Sequence, residues 1–169
     1  MNHAINIYQI FTRLFRNDSG KNKKFGTISE NGVSKFNDID NNALATFHSF
    51  GVTHVWYTGV IRHATCTSYK EFGIDDSSAS IVKGVAGSPY AIKDYYDVDP
   101  DLSVDVSKRM SEFENLVKRT HQNKLKVIID FVPNLVAREY KSQCKPKTIK
   151  DLGENDNVLK QFDSNNNFY

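Results

Sequence analysis

The order of segments in this 169-residue chain predicts an α/β fold made of parallel βαβ units. Three observations carry that prediction. Strand-like and helix-like segments alternate as strand, helix, strand, helix, strand. The connections differ by type: helix-to-strand links are short (Gly51-Val52, and Gln122 to Leu125), whereas strand-to-helix links are long (about 12–37, 58–106 and from 133 onward). Lastly, Val127, Ile128, Ile129, Phe131 and Val132 form an apolar run like a parallel strand buried on both faces. In a parallel sheet the strand-to-helix loops all emerge at the carboxyl end, so the elaboration lies on one face. That face is the catalytic face of a barrel or the crevice face of an open sheet.

Each element has a local reason. Ile5 to Phe11 is strand-like, with Ile5, Ile7, Ile10 and Phe11 apolar and Tyr8 favouring strands. A glycine-bearing polar loop follows. Asp40 to Phe50 fits a helix capped by Asp38 or Asp40, with Leu44, Phe47 and Phe50 at helical spacing and Gly51 as a stop. Thr53 to Tyr57 reads as the second strand. Thr58 to about Asp105 reads as a long irregular stretch rich in turn residues. Lys108 to His121 fits a second helix, capped by Ser107, with Met110, Phe113 and Val117 on one face and Asn123 as its left-handed end. The strand at 126–132 comes next. Asp130 interrupts its apolar run, and a carboxylate is costly to bury without partners. Asp130 therefore anchors a hydrogen-bond network or faces a polar site, and Pro133 ends the strand. A polar loop runs from there to Tyr169 with no element after it.

Composition excludes several classes. Net charge is +2 and charged residues make up 25%, which gives no broad pull toward nucleic acid or a membrane surface. No apolar stretch approaches the roughly 20 residues that span a bilayer. Cys66 and Cys144 form no CxxC pair, so they read as free thiols. The amino terminus shows no signal peptide, which gives the expectation of a cytoplasmic protein. Asn17-Asp18-Ser19 fits a glycosylation sequon and, without a secretion signal, reads as chance. No GxGxxG or GxxxxGK[ST] follows a strand, which argues against a nucleotide-binding domain. The five histidines have no zinc spacing. His63 follows the second strand on the loop face and is a candidate to line a site. The segment Ser88 to Tyr96 mixes aromatic rings with carboxylates, a mixture that suits a sugar's apolar C–H faces and hydroxyl rim. The same tyrosines would also serve simply to pack the loop.

Four blocks occur in order: Ile7-Tyr8-Gln9-Ile10-Phe11, Gly51-Val52-Thr53-His54-Val55-Trp56, Tyr90 to Pro100, and Val127 to Asn134. Together they resemble the alpha-amylase family of glycoside hydrolases, in particular bacterial alpha-amylase-like enzymes. The resemblance implies a (β/α)₈ TIM barrel with a domain inserted after the third strand. On that basis the chain is a partial barrel: residues 1–134 supply the first three strand units, and 135–169 begin the inserted domain, truncated. The resemblance makes Asp130 a structural or site-organising carboxylate. It makes Tyr90 the ring that stacks on the sugar, with Asp94 supporting it. Asn134 becomes a candidate ligand for a structural calcium.

The substrate implied is an α-glucan or maltooligosaccharide. Leu135 stands where the family has a histidine that contacts the sugar. Retaining glycosidases use two carboxylates about 5–5.5 Å apart. In this family they follow strands four and five, so no catalytic residue is assigned here and the nucleophile and acid/base are expected beyond Tyr169. Two readings stay open. One is the N-terminal part of a glycosidase, inactive alone. The other is a non-catalytic sugar-binding module or a functionless remnant. Unpaired edges on the first and third strands would invite aggregation.

Overall fold

The computed structural model describes residues 4–157, 159, 160, 162–164 and 166. The last part of the expected polar tail therefore falls partly outside the described residues. Three parallel strands form the main sheet: β1 (Ile7–Phe11), β2 (His54–Thr58) and β5 (Lys126–Ile129), in the order β1-β2-β5. Their register sets Tyr8 beside Val55 and Val55 beside Val127. Helix α2 (Asn41–Ser49) links β1 to β2, and α3 (Arg109–Gln122) leads into β5. Both connections are of the βαβ type that the alternation of segments implies. A short helix, α1 (Ile28–Asn31), lies within the first loop on a Thr27–Glu30 capping box.

The region 58–105 is not irregular throughout. It contains β3 (Ile61–His63) and β4 (Ile92–Val98), paired antiparallel as a second sheet. Hydropathy hides β4 because its inward residues include Lys93, Asp94 and Asp97, all buried. These charges are buried through pairing, so the strand carries no apolar run to be read.

The core lies between the main sheet and its helices. Ile10, Val55 and Tyr57 from the sheet meet Phe36, Ile39, Leu44, Phe47, Leu116 and Leu125. Tyr57 and Thr120 join their hydroxyls at 2.6 Å inside this core. Burial pushes the Tyr57 phenol up to about 12, so it stays protonated. Asp40 caps α2 by accepting from the Ala43 amide at 2.8 Å. Phe50, expected on the apolar face, is exposed, and Ala43 is buried in its place.

Helix α3 differs from expectation at both ends. Ser107 does not cap it. Asp105 accepts from the Ser107 amide in the preceding 3₁₀ turn, and Glu112 accepts from the amides of Val104 and Asp105. At the far end Lys124, not Asn123, takes the left-handed conformation. Its buried face is Glu112, Leu116 and Thr120, with Met110 exposed. Strand β5 is shorter than the 126–132 run and is not buried on both faces. Ile129 is 41% and Phe131 72% exposed. Among the described residues β5 has one neighbour, β2, and β1 likewise has one. Apolar side chains on these edges therefore meet solvent, Ile7, Tyr8 and Phe11 on one side and Ile129 on the other.

Candidate functional site

The carboxyl ends of β2 and β5 are tied together by Asp130. The Trp56 indole Nε1 donates to Asp130 Oδ1 at 2.7 Å, and the Gly59 amide donates to Oδ2 at 3.2 Å. The network expected of Asp130 is thus present, and it faces the loop side of the sheet. On β1, Gln9 Nε2 donates to Thr58 Oγ1 at 2.8 Å, fastening the third parallel strand at the same end. Gly59 has φ +79°, and a Cβ there would stand 3.2 Å from both Phe11 and Pro89. Only glycine lets the backbone reach Asp130 in this space. Replacing Asp130 with alanine removes both bonds and leaves the indole N–H and the Gly59 amide without their acceptor. The expected loss is about 1–3 kcal/mol, measurable by urea denaturation together with an altered Trp56 emission.

Beside this tie is an open cleft of about 450 Å³ lined by Tyr90, Asp130, Phe131, Val132, Asn134 and Leu135. The Tyr90 ring is 49% exposed and Leu135 46% exposed, so the cleft presents flat and apolar surface next to one carboxylate. Phe131 also borders a neighbouring groove of about 620 Å³ that contains Tyr95 and Tyr140. Tyr95 donates its hydroxyl to the Val132 carbonyl and packs 5.7 Å, centroid to centroid, from both Phe131 and Tyr140. Burial raises the Tyr95 phenol and pushes Tyr140 up to about 12. Both rings therefore stay neutral at physiological pH.

Tyr90, Asp130 and Asn134 come together in the cleft, and Asp94 and His63 do not join them. Asp94 is fully buried. It accepts from Ser142 Oγ at 2.5 Å, from the Gln143 amide at 2.8 Å and from the Tyr96 amide at 2.8 Å. It thereby docks the 142–144 segment onto β4. His63 is buried at the end of β3, where its Nε2 lies 3.5 Å from Asp99. Around Asp94 lies an ion cluster that sequence reasoning missed. Arg62, 3% exposed, stands 3.9 Å from both Asp94 and Asp97, and Arg109 grips Asp97 in a fork at 2.7 and 2.9 Å. The charge run in β4 was the available signal.

Among the described residues, the one grouping of three side chains of metal-ligand type is Asp94, Asp97 and Cys144. Arg62 and Arg109 already supply its positive charge. Burial, with Asp97 adding, raises the Cys144 thiol, which disfavours the thiolate a metal needs. Asn134 lies outside this group. It offers one side-chain carbonyl, and Asp130 is the one carboxylate lining the same cleft. Calcium takes about six to eight oxygens, a set that these two residues do not fill. The cleft also lacks a second carboxylate, so the described residues do not assemble the paired acids of a glycosidase.

No described helix is long and apolar enough to cross a membrane. The model of the alpha-amylase catalytic domain matches residues 9–166. Among curated proteins, a cyclomaltodextrin glucanotransferase of Bacillus licheniformis is 24% identical over 96% of this chain and 22% of its own length. The amino acid transporter heavy chain SLC3A1 of Mus musculus is 44% identical over 76% of this chain and 13% of its own. Maltase A1 of Drosophila melanogaster is 26% identical over 76% and 16%. Among solved structures, an alpha-amylase from Lactobacillus plantarum superposes with a TM-score of 0.54 at 22% identity, covering 80% of this chain and 24% of that one. The maltogenic alpha-amylase AmyB of Thermotoga neapolitana gives 0.52 at 25% identity, with the same coverage. The chain thus spans about a quarter or less of the length of these relatives. The neighbours share a catalytic-domain fold with the βαβ units described above, and the family model runs through nearly every residue of them: the chain belongs to the alpha-amylase catalytic-domain family.

Proposed function

We propose that this chain forms one wall of an α-glucan site in an alpha-amylase-type glycoside hydrolase, and that by itself it binds maltooligosaccharide without cleaving it. The observation that carries the reading is the convergence of Tyr90, Asp130, Asn134 and Leu135 on one cleft at the carboxyl ends of parallel strands. On this reading β1, β2 and β5 are the first three strands of the barrel, and the segment after Asn134 begins the inserted domain. Tyr90 offers its face to a sugar ring. Asp130 acts through Trp56 and Gly59, holding the cleft's floor. Leu135 contributes apolar contact and no hydrogen bond, which weakens the grip on the sugar. A calcium role for Asn134 would require oxygen donors beyond the cleft, and no step here depends on it.

The chain has one tryptophan, Trp56, and it is bonded to Asp130. Titration with maltohexaose should change its fluorescence saturably, in the millimolar range of about 4 kcal/mol. Tyr90→Ala should weaken this about tenfold or more, the scale of about 1.4 kcal/mol for one lost ring contact. A flat titration would overturn the binding reading, and release of reducing sugar would overturn the claim of inactivity.

The similarity to an amino acid transporter heavy chain favours a second reading, a non-catalytic family member whose cleft binds no glucan. Leu135→His separates the two. It should tighten maltohexaose if the cleft is a sugar site and change nothing if it is not.

A further inference from the structure

His63 and Asp99 form a buried pair that the cleft does not use. Asp99 is completely buried at the end of β4, and His63 is 6% exposed. Asp99 Oδ1 accepts from the Asp101 amide at 3.0 Å, while its Oδ2 accepts no hydrogen bond and lies 3.5 Å from His63 Nε2. The other charged groups nearby are committed elsewhere. Arg13 pairs with the Asp101 carboxylate at 3.0 Å, the Tyr69 hydroxyl donates to Asp101 at 2.9 Å, and Lys35 donates to the Asp101 carbonyl at 2.6 Å. On the other side of His63, Arg62 serves Asp94 and Asp97, and Lys93 donates to the carbonyls of Asp75 and Asp76. Asp75 itself pairs with Lys141. His63 is therefore the side chain that faces the unbonded Asp99 oxygen.

The pair sits under the loop that delivers Tyr90. The Ala64 amide donates to the Ala91 carbonyl at 3.0 Å, and the Cys66 amide to the Val85 carbonyl at 2.8 Å. Gly87 packs against the Ala64 carbonyl and the His63 ring. We propose that Asp99, set against His63, is a one-proton switch for this loop. With its carboxyl protonated the buried group is neutral and the loop between β3 and β4 is clamped. Without that proton a carboxylate is buried with the Asp101 amide on one oxygen and no donor on the other, and the loop loosens.

The direction follows from burial. Burial, with Asp101 adding and His63 opposing, raises Asp99 above the ordinary carboxylate range. The folded chain therefore keeps a proton that the unfolded chain releases near about pH 3.9. The stability this proton gives is fully present below that pH and is lost as pH rises through the higher folded value.

Amide hydrogen exchange of the 169-residue chain at about pH 5 and about pH 7.5, corrected for intrinsic rates, tests the switch. Protection of the Ala64 and Cys66 amides should fall about tenfold or more at the higher pH, the scale of one proton per pH unit. Protection of Leu116 in α3 should fall less. In Asp99→Asn the fall should vanish. Asp99→Ser, which likewise carries no titratable group and keeps an oxygen to accept from the Asp101 amide, serves the same purpose if the first variant does not fold. Equal wild-type protection at the two pH values, or a fall that persists in a folded variant, would overturn the proposal.

Discussion

Replacing Arg62 with methionine is expected to destabilise the fold by about 3–5 kcal/mol, the range for removing one partner of a buried ion pair. Methionine keeps much of the volume, so a cavity is not the cause. Arg62 donates to Gln143 Oε1 at 2.8 Å and to the Asp75 carbonyl at 3.1 Å, and it stands between Asp94 and Asp97. Without it Asp97 keeps Arg109, but Asp94 keeps only hydrogen-bond donors that carry no charge. A completely buried carboxylate is then left without a cation. Small domains are stable by about 5–15 kcal/mol in all, so much of the population should unfold under mild denaturant. The midpoint of guanidinium denaturation checks this. Adding Asp94→Asn to Arg62→Met should restore part of the loss, because the uncompensated charge goes with it.

Gly87→Ala has the next largest expected effect, about 3 kcal/mol. Gly87 has φ +72°, and an added Cβ would lie 1.8 Å from the Ala64 carbonyl oxygen. That oxygen is main chain at the end of β3, so it cannot swing aside as a side chain would. The loop must shift, and Tyr90, three residues on, shifts with it. Gly84 is the control. It has φ +71° with nothing within 4 Å of the added Cβ, so Gly84→Ala should cost only about 1 kcal/mol of backbone strain. Thermal unfolding of both variants measures the difference. Equal losses would mean that backbone strain alone, and not the close approach to Ala64, limits this loop.

The elements that sequence reveals well here are those whose burial is apolar. Ile10, Val55 and Leu44 sit in a core that hydrophobic periodicity marks. Asp130 was legible as a network anchor because a lone acid in an apolar run needs partners, and Trp56 and Gly59 are those partners. Strand β4 was hidden for the opposite reason. Lys93, Asp94 and Asp97 look like solvent-facing residues, and only long-range contacts make them interior: the two acids stand against Arg62 and Arg109, and Lys93 donates to the carbonyls of Asp75 and Asp76. The cap expected at Ser107 is absent because its amide and its hydroxyl both donate to Asp105, while Glu112 takes the amides of Val104 and Asp105. The cleft was legible in part. Tyr90 and Asn134 stand 44 positions apart in the chain, and no local pattern says that they line one space. Asp94 has the chemistry of a sugar ligand but a structural address, buried beneath Ser142.

The central claim is that the cleft framed by Tyr90, Asp130 and Leu135 takes a glucan. It is tested most directly by ¹H–¹⁵N NMR of the chain with increasing maltohexaose. The one indole resonance, from Trp56 Nε1, reports on Asp130, and the Gly59 amide reports on the same carboxylate. The account predicts saturable shifts in these two signals and in the amides of Tyr90, Asn134 and Leu135, with the core of α3 unmoved. Shifts confined to another face, or none at maltohexaose concentrations well above the millimolar range, would contradict it.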